Sequence, residues 1–250
     1  MIKNYSISLV MPCKNEARAL KSVLENLPKE VDEVIVVDNN SSDETKKVAR
    51  SFGARTLSEA RNDKFGVGYG FAIQKGVSET KGNIVIVMDG DGSYPVKEIP
   101  LLVRSLIHKN LDIISCNRLP FKRPQDMSSI RALGVNILNL TTWALFGYRI
   151  KDSLTGMWVF KKYAYNSLDF SEGGWNFSLE FKLKAITNPK LRFAERHISY
   201  QDRVLDLSKQ KLFRTGFQHL IYLFMFKLNL LPKLTYKNVY AKISESKDEN

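Results

Sequence analysis

Residues 84–91 read Ile-Val-Ile-Val-Met-Asp-Gly-Asp, a wholly apolar, largely β-branched run that ends in two acids one residue apart. A run of that kind reads as a strand buried on both faces of a parallel sheet. Asp89 and Asp91 then fall at the strand's carboxyl end, where open α/β sheets bind ligands. In an extended segment residues i and i+2 point the same way, so two carboxylates can share one divalent cation. Hard oxygen ligands suit Mg2+ or Mn2+. The competing reading is a polar turn that merely closes a buried strand.

A chain of 250 residues with 44% hydrophobic content suits one large α/β domain, or such a domain with a C-terminal appendage. The formal net charge of +12 points to an anionic partner such as a nucleotide, a phosphorylated substrate or a phospholipid surface. Nucleic acid is not expected, because no nucleic-acid recognition motif is present. The two cysteines, Cys13 and Cys116, form no Cys-x-x-Cys or Cys/His cluster, which excludes a structural zinc site. They read as free thiols in a reducing compartment, the cytoplasm. The N-terminus runs directly into a strand with no signal-peptide pattern. The longest greasy segment, residues 220–226, is far short of the roughly 18 residues that span a bilayer. The expected location is therefore cytoplasmic, peripheral on the cytoplasmic face of a membrane.

Strand and helix signals alternate through the first half, which implies parallel strands joined by right-handed crossovers. Strands are expected at 7–11, 34–37, 54–57, 84–88 and 112–115. Helices are expected at about 18–27, after the capping residues 40–43 to about 52, from Gly66-x-Gly68-x-Gly70 to about 78, and from Pro95 to about 108. Beyond residue 124 longer helices mix with short strands. Residues 128–146 carry Ile130, Leu133, Ile137, Leu140 and Ala144 at helical spacing. Strands are read at 157–160 and 191–193, a helix between them at 176–187, and an amphipathic helix at 210–231. The domain reading is a transferase domain over 1–208, with a nucleotide-binding half at 1–120 and an acceptor half at 121–208. An amphipathic helix at 209–232 and a polar tail at 233–250 follow.

Three strand-end motifs occur in order: Met11-Pro12-Cys13-Lys14-Asn15-Glu16, Val36-Val37-Asp38-Asn39-Asn40-Ser41-Ser42-Asp43, and Ile86-Val87-Met88-Asp89-Gly90-Asp91. Together they resemble the nucleotide-diphospho-sugar glycosyltransferases of the inverting family 2, whose fold is called GT-A. The resemblance implies an α/β fold with a mostly parallel central sheet flanked by helices. It implies that Pro12, Lys14, Glu16, Val37, Asp38 and Asn39 line the base and ribose pocket. It also implies that Asp89, Gly90 and Asp91 hold Mg2+ or Mn2+ on the sugar diphosphate, with Asp89 and Asp91 as metal ligands. The chemistry agrees: carboxylates accept hydrogen bonds from ribose hydroxyls, and a cation neutralises a departing pyrophosphate. For Glu16 and Asp43 alone, helix capping is the simpler alternative. Gly66-x-Gly68-x-Gly70 departs from the dinucleotide spacing Gly-x-Gly-x-x-Gly. It matches the Lys-x-Gly-x-Gly segment of the resembling family through Lys64, Gly66 and Gly68, where glycines would let backbone approach the ligand.

Further on, Asn117-Arg118 closes a strand, Arg131 opens a helix, Asp152-Ser-Leu-Thr155-Gly156 precedes Met-Trp-Val-Phe, and Glu180, Arg203 and Lys209 follow. This order resembles the polyprenyl-phosphate glycosyltransferases, the dolichol-phosphate mannose synthase group. It implies a nucleotide diphosphate sugar donor, a polyprenyl phosphate acceptor, and catalytic roles for Asp91, Arg118, Arg131, Asp152, Arg203 and Lys209. In that reading the three arginines and Lys209 grip the lipid phosphate and the diphosphate, a task suited to the planar guanidinium fork. Ser93 stands where the family often has Gln or His. A hydroxyl acceptor would instead need a general base, for which Asp152 or Glu180 could serve. A non-catalytic nucleotide-binding subunit is the remaining alternative.

The 210–231 segment places Phe213, Phe217, Leu220, Ile221, Phe224, Leu228 and Leu231 at helical spacing, with Lys209, Lys211, Arg214 and Lys227 beside them. Such a pattern fits docking on a membrane surface. Packing on the core, a homodimer interface, or a membrane-protein partner would use the same stripe.

Overall fold

The computed structural model describes residues 4–64, 66–119, 129–201 and 212–230. Seven strands form a single sheet: β1 (Ile7–Cys13), β2 (Glu33–Asp38), β3 (Arg55–Ser58), β4 (Ile84–Val87), β5 (Ile113–Asn117), β6 (Trp158–Lys161) and β7 (Phe193–His197). Their spatial order is β3-β2-β1-β4-β6-β5-β7. Among these, β6 runs antiparallel to both β4 and β5, and the other pairings are parallel. The mixed α/β class and mostly parallel sheet expected from the sequence are borne out.

The helices are α1 (Ala17–Glu25), α2 (Thr45–Ser51), α3 (Tyr69–Ser78), α4 (Ile99–His108), α5 (Ser129–Phe146), α6 (Lys162–Asn166), α7 (Phe177–Thr187) and α8 (Leu212–Lys227). The short α6 is an addition to the sequence expectation, and a 3-10 turn at Val96–Glu98 precedes α4. The central strands are buried on both faces, as their unbroken apolar runs require. In β1, Ile7, Leu9, Met11 and Cys13 face one layer with Leu20, Val23 and Leu24 of α1 and Ile99, Leu102, Val103 and Leu106 of α4. Val10 faces the opposite layer with Ile73 and Val77 of α3 and Phe177, Phe181 and Ala185 of α7. This alternation is the period of two that a strand imposes on its side chains.

A third cluster lies outside the sheet, where Leu138 of α5 and Tyr222 and Leu223 of α8 pack on Leu179, Leu183 and Ile186 of α7. Here the two outer helices bury a face other than their apolar stripe. The α5 stripe points outward: Ile130, Leu133, Ile137 and Leu140 are 57%, 60%, 45% and 61% exposed, while Val135, Leu138 and Thr142 face inward. On α8, Phe213, Phe217, Ile221 and Phe224 are also exposed, as is Leu228 just beyond it, and Thr215, His219, Tyr222 and Leu223 are buried. Leu231, also in that expected stripe, lies outside the described residues.

Phe181 anchors the α7 face: its ring lies 4.8 Å from Trp158, 5.5 Å from Phe160 and 6.0 Å from Phe170. Phe181→Ala is expected to cost about 3–5 kcal/mol, the usual range for removing a buried aromatic ring. Equilibrium urea unfolding measures it, and a loss below 1 kcal/mol would show that this cluster does not hold α7 to the sheet.

Candidate active site

The parallel pairing aligns strand ends. Cys13 at the end of β1 is in register with Asp38 at the end of β2, and Val10 pairs with Val87 two residues before Asp89. Because β6 runs the other way, its entry at Gly156–Trp158 lies at this same edge, as does the exit of β5 at Asn117–Arg118. Residues from five segments far apart in sequence are thereby gathered at one rim of the sheet.

The loops after β1 and β2 are laced together. Asn15 and Asn40 both adopt positive φ, 53° and 58°, a region asparagine tolerates better than most side chains. The Asn15 N–H donates to Ser41 Oγ at 2.9 Å, and Ser42 N–H donates to Asn15 Oδ1 at 2.7 Å. The Glu16 N–H donates to Thr45 Oγ1 at 2.9 Å, and Asp43 accepts from the N–H groups of Ala17 and Thr45 at 3.0 Å each. Asp43 thus serves the amino ends of α1 and α2 together, the capping role weighed for it from sequence. Asp38 is fully buried, accepts the Ser41 N–H, and pairs with Lys46 Nζ at 3.2 Å. The Asn39 side-chain amide donates to the Glu59 carbonyl at 2.7 Å. Pro12 and Val37 are buried within their strands, and Lys14 and Lys64 are exposed.

The acids sit differently from the strand geometry expected of them. The strand β4 ends at Val87, so Asp89 and Asp91 occupy the bend beyond it, and the shared direction of alternate strand residues does not apply. Asp89 is half-buried and accepts a hydrogen bond from Tyr69 Oη at 2.9 Å on Oδ1. Asp91 is buried, and its Oδ1 accepts from the Ser93 N–H at 3.1 Å and Oγ at 2.5 Å. Ser93 therefore braces Asp91 where the related pattern has a longer polar side chain. Gly90 is a necessity of packing: a Cβ there would stand 2.4 Å from Cys13 Sγ and 3.2 Å from Glu16 Oε2. Two carboxylates without a third suit Mg2+ or Mn2+, which are commonly held by one or two carboxylates plus substrate phosphates. Among the described residues no group of three or more His, Cys, Asp or Glu forms a self-sufficient metal cage.

Gly68 and Gly70, at the start of α3, are required by packing. A Cβ on Gly68 would fall 2.2 Å from the Arg61 carbonyl oxygen and 2.3 Å from Asn39 Nδ2, and one on Gly70 would fall 2.6 Å from the Glu172 carbonyl oxygen. At these two positions the missing side chain lets one stretch of chain approach another.

Arg118 and Asp152, both assigned catalytic roles from sequence, are bound to each other. Arg118 Nε and Nη2 donate to the two carboxylate oxygens of Asp152 at 2.7 and 2.9 Å, and the Arg118 N–H adds a third bond at 3.0 Å. Burial pushes the Asp152 carboxyl up, but the Arg118 guanidinium outweighs this and holds it below the usual carboxylate range. Lys182, fully buried on α7, donates to the Asp152 carbonyl oxygen at 2.7 Å. Burial brings its ammonium down to about 7 despite the neighbouring charge of Asp152. Glu195 accepts the N–H groups of Lys151 and Asp152, and Tyr94 Oη accepts the Gly156 N–H at 2.6 Å. Glu180, the other candidate base, is fully buried and accepts from Ser171 N–H, Ser171 Oγ and Glu172 N–H, with Lys184 Nζ 2.9 Å away. Arg131 lies half-buried near the start of α5. Arg203 and Lys209 lie outside the described residues.

Three features escaped the sequence reading: the hydrogen bond from Tyr69 to Asp89, the packing of Trp175 on Tyr69 at 5.0 Å, and Glu172. The Glu172 carboxyl is pushed up to about 7, first by burial and then by Glu180. An aromatic directly after Lys-x-Gly-x-Gly was the available signal for Tyr69. No local pattern marks the other two.

A seven-stranded mixed sheet with a carboxylate pair at one rim defines a sugar-nucleotide transferase type of fold. The family model described as "Glycosyl transferase family 2" matches residues 8–168, and the chain belongs to that family. An uncharacterized glycosyltransferase of Mycobacterium tuberculosis is 38% identical over 115 residues, 46% of this chain and 50% of the relative, so the chain spans about half the length of that curated relative. A dolichyl-phosphate hexose transferase of Haloferax volcanii is 29% identical over 204 residues, covering 79% of this chain and 83% of the relative. The crystal structure of M. tuberculosis glucosyl-3-phosphoglycerate synthase with Mn2+, UDP and phosphoglyceric acid superposes with a TM-score of 0.73 at 20% identity, over 92% of this chain and 81% of that one. The shared fold is GT-A.

The Arg118–Asp152 pair generates a prediction about acid stability. The unfolded Asp value is about 3.9 and the folded value is lower, so the unfolded state binds the proton more readily. The stabilisation is complete above the unfolded value and is lost as pH falls through the folded one. Asp152→Asn is expected to cost about 3–5 kcal/mol at pH 7, because it strands a buried guanidinium, and to flatten the acid limb of stability against pH. Urea titrations at several pH values report both effects; an unchanged acid limb would exclude Asp152 as its source.

Proposed function

We propose that the chain is a metal-dependent inverting hexosyltransferase that moves one hexosyl unit from a UDP- or GDP-linked sugar to a polyprenyl phosphate at a membrane surface. The observation that carries this reading is the pair of outward apolar faces on α5 and α8, with α5 joined through Asn139 to the 151–153 turn. An acceptor phosphate on a lipid must be met at a bilayer, and the face is built for one. Arg149 lies 5.2 Å over the Trp143 ring and Lys227 lies 5.4 Å over the Phe146 ring, so cations accompany the apolar surface. Near anionic lipid each basic residue adds about 1 kcal/mol. Among the described residues no helix is long and apolar enough to cross a membrane. The likeness to a dolichyl-phosphate hexose transferase over most of both chains supports the same acceptor class.

The mechanism follows from which groups are occupied. The phosphate oxygen of the acceptor is already anionic near neutral pH and attacks the anomeric carbon as the bond from that carbon to the diphosphate oxygen breaks. No proton has to be removed, so no general base is required. Asp152 and Glu180, the two bases a hydroxyl acceptor would have called on, are both consumed by internal bonds, which favours the phosphate acceptor. Asp89 and Asp91 would hold the cation, which when bound neutralises the departing nucleoside diphosphate. Glu16 and Asp38, at the ends of the laced loops, would receive the nucleoside. Arg131 would meet the acceptor phosphate, joined by Arg203 and Lys209. Arg118, with its fork on Asp152, would act by holding the 152–156 turn against the rim. Catalysis in this scheme is orientation and charge neutralisation.

The test is transfer of radiolabel from UDP- or GDP-sugars to undecaprenyl or dolichyl phosphate, counted in the organic phase with Mn2+ or Mg2+. Chelator-sensitive lipid label is expected, and Asp91→Ala is expected to abolish it without loss of helical circular dichroism. Donor hydrolysis with no lipid label would move the acceptor to a hydroxyl, and full activity of the variant in excess chelator would end the metal mechanism. The membrane face has its own measurement, sedimentation with vesicles containing phosphatidylglycerol. Phe217→Glu and Leu133→Glu, both at exposed sites, should each lower binding more than tenfold, since burying an aromatic or leucine side chain is worth about 1.5–3 kcal/mol. Unchanged sedimentation of both variants would remove the membrane from the reading.

A further inference from the structure

Tyr69, Trp175 and the loop that carries Trp175 are joined to the acidic rim by contacts that neither the family pattern nor the roles assigned above use. Tyr69 Oη donates to Asp89 Oδ1 at 2.9 Å. The backbone at Gly156 presses on the same atoms: a Cβ there would stand 2.7 Å from Tyr69 Oη and 3.0 and 3.2 Å from the Asp89 oxygens. The Asp89 carboxylate is thus held between a phenol and a bare stretch of backbone. The Tyr69 ring in turn packs against Trp175, with centroids 5.0 Å apart at 33°.

Trp175 belongs to the segment Ser171–Asn176, which is fastened from three sides. From α3, Gln74 Nε2 donates to the Glu172 carbonyl oxygen at 2.9 Å and the Phe71 N–H donates to the Gly173 carbonyl oxygen at 3.1 Å. From α7, Glu180 accepts the N–H groups of Ser171 and Glu172. From α8, His219 Nδ1 lies 2.7 Å from Asn176 Oδ1, which makes that ring nitrogen the donor. A tryptophan on a segment tied to three helices is a fixed wall, and it backs the tyrosine whose phenol is bonded to Asp89 Oδ1.

We propose that Tyr69 is a positioning residue that orients the Asp89 carboxylate for the divalent cation, and that Trp175 is the clamp that keeps Tyr69 in place. The proposal rests on the metal site of the reading above and adds two residues to it. An outer hydrogen bond to a ligating carboxylate fixes its plane and so its fit to the metal, and removal of such a partner typically costs 10–100-fold in metal affinity. The tyrosine contributes no ligand and no proton to the transfer. Its effect is carried wholly by the orientation of Asp89.

The test is Mn2+ binding in the presence of UDP and, separately, of GDP, followed by the electron paramagnetic resonance signal of free Mn2+, which reads the site without turnover. Tyr69→Phe removes a single oxygen and keeps the ring, and it should weaken Mn2+ binding about 10–100-fold with the thermal midpoint unchanged. Trp175→Leu should weaken it in the same direction, and Trp175→Phe, which retains an aromatic face, should recover most of the loss. Mn2+ affinity equal to wild type in Tyr69→Phe would overturn the proposal even if sugar transfer to lipid is observed. Weakened Mn2+ binding in a protein that labels no lipid would leave the proposal standing and overturn the acceptor assignment. A wild-type protein that binds no Mn2+ with either UDP or GDP present would overturn both.

Discussion

The complete burial of the central strands is the constraint on which the rest of the structure depends. With β1 and β4 covered on both faces, no polar side chain of function can sit along them, and the polar chemistry is driven to their ends. Parallel pairing then puts the ends of β1, β2, β4 and β5 at one rim. The reversed direction of β6 delivers Gly156 to the same place. The site is a consequence of strand polarity as much as of any single residue.

Burial of charge is the second theme, and it follows from the first. The rim needs turns that do not shift, and the turn at 152–156 is held by an ion pair and a lysine that are almost entirely out of water. Such pairs contribute little net stability compared with an apolar replacement, but breaking one partner is costly. That asymmetry suits a device whose job is to keep a loop in one position. Glu180 plays the same part for Ser171–Asn176, where a buried carboxylate collects the backbone N–H groups of Ser171 and Glu172.

The outer layer obeys a different rule. α8 and α5 bury one face each on α7 and leave an apolar stripe outside, so both helices have hydrophobic residues over more of their circumference than a water-facing helix carries. Exposed apolar stripes of this size are unusual for a water-facing helix.

Much of the fold was legible from the order of residues. Runs such as 84–88 announced buried strands, the strand-end motifs announced the rim, and the alternation of strand and helix announced the parallel sheet, because each of these depends on neighbours a few positions apart. The outward direction of the α5 and α8 stripes was not legible, since a periodic apolar face looks the same whether it meets a core or a membrane. Nor was the fate of Arg118 and Asp152, which are 34 residues apart and can satisfy each other only after β5 and the 152–156 turn are brought to one edge. The amino-acid sequence by itself determined which segments become buried strands and which carboxylates stand at their ends, through local apolar periodicity and turn chemistry. Only the tertiary structure decided that Asp89 meets Tyr69, that Tyr69 meets Trp175, and that the two expected bases are already bonded, because contacts between distant segments are set by packing rather than by spacing along the chain.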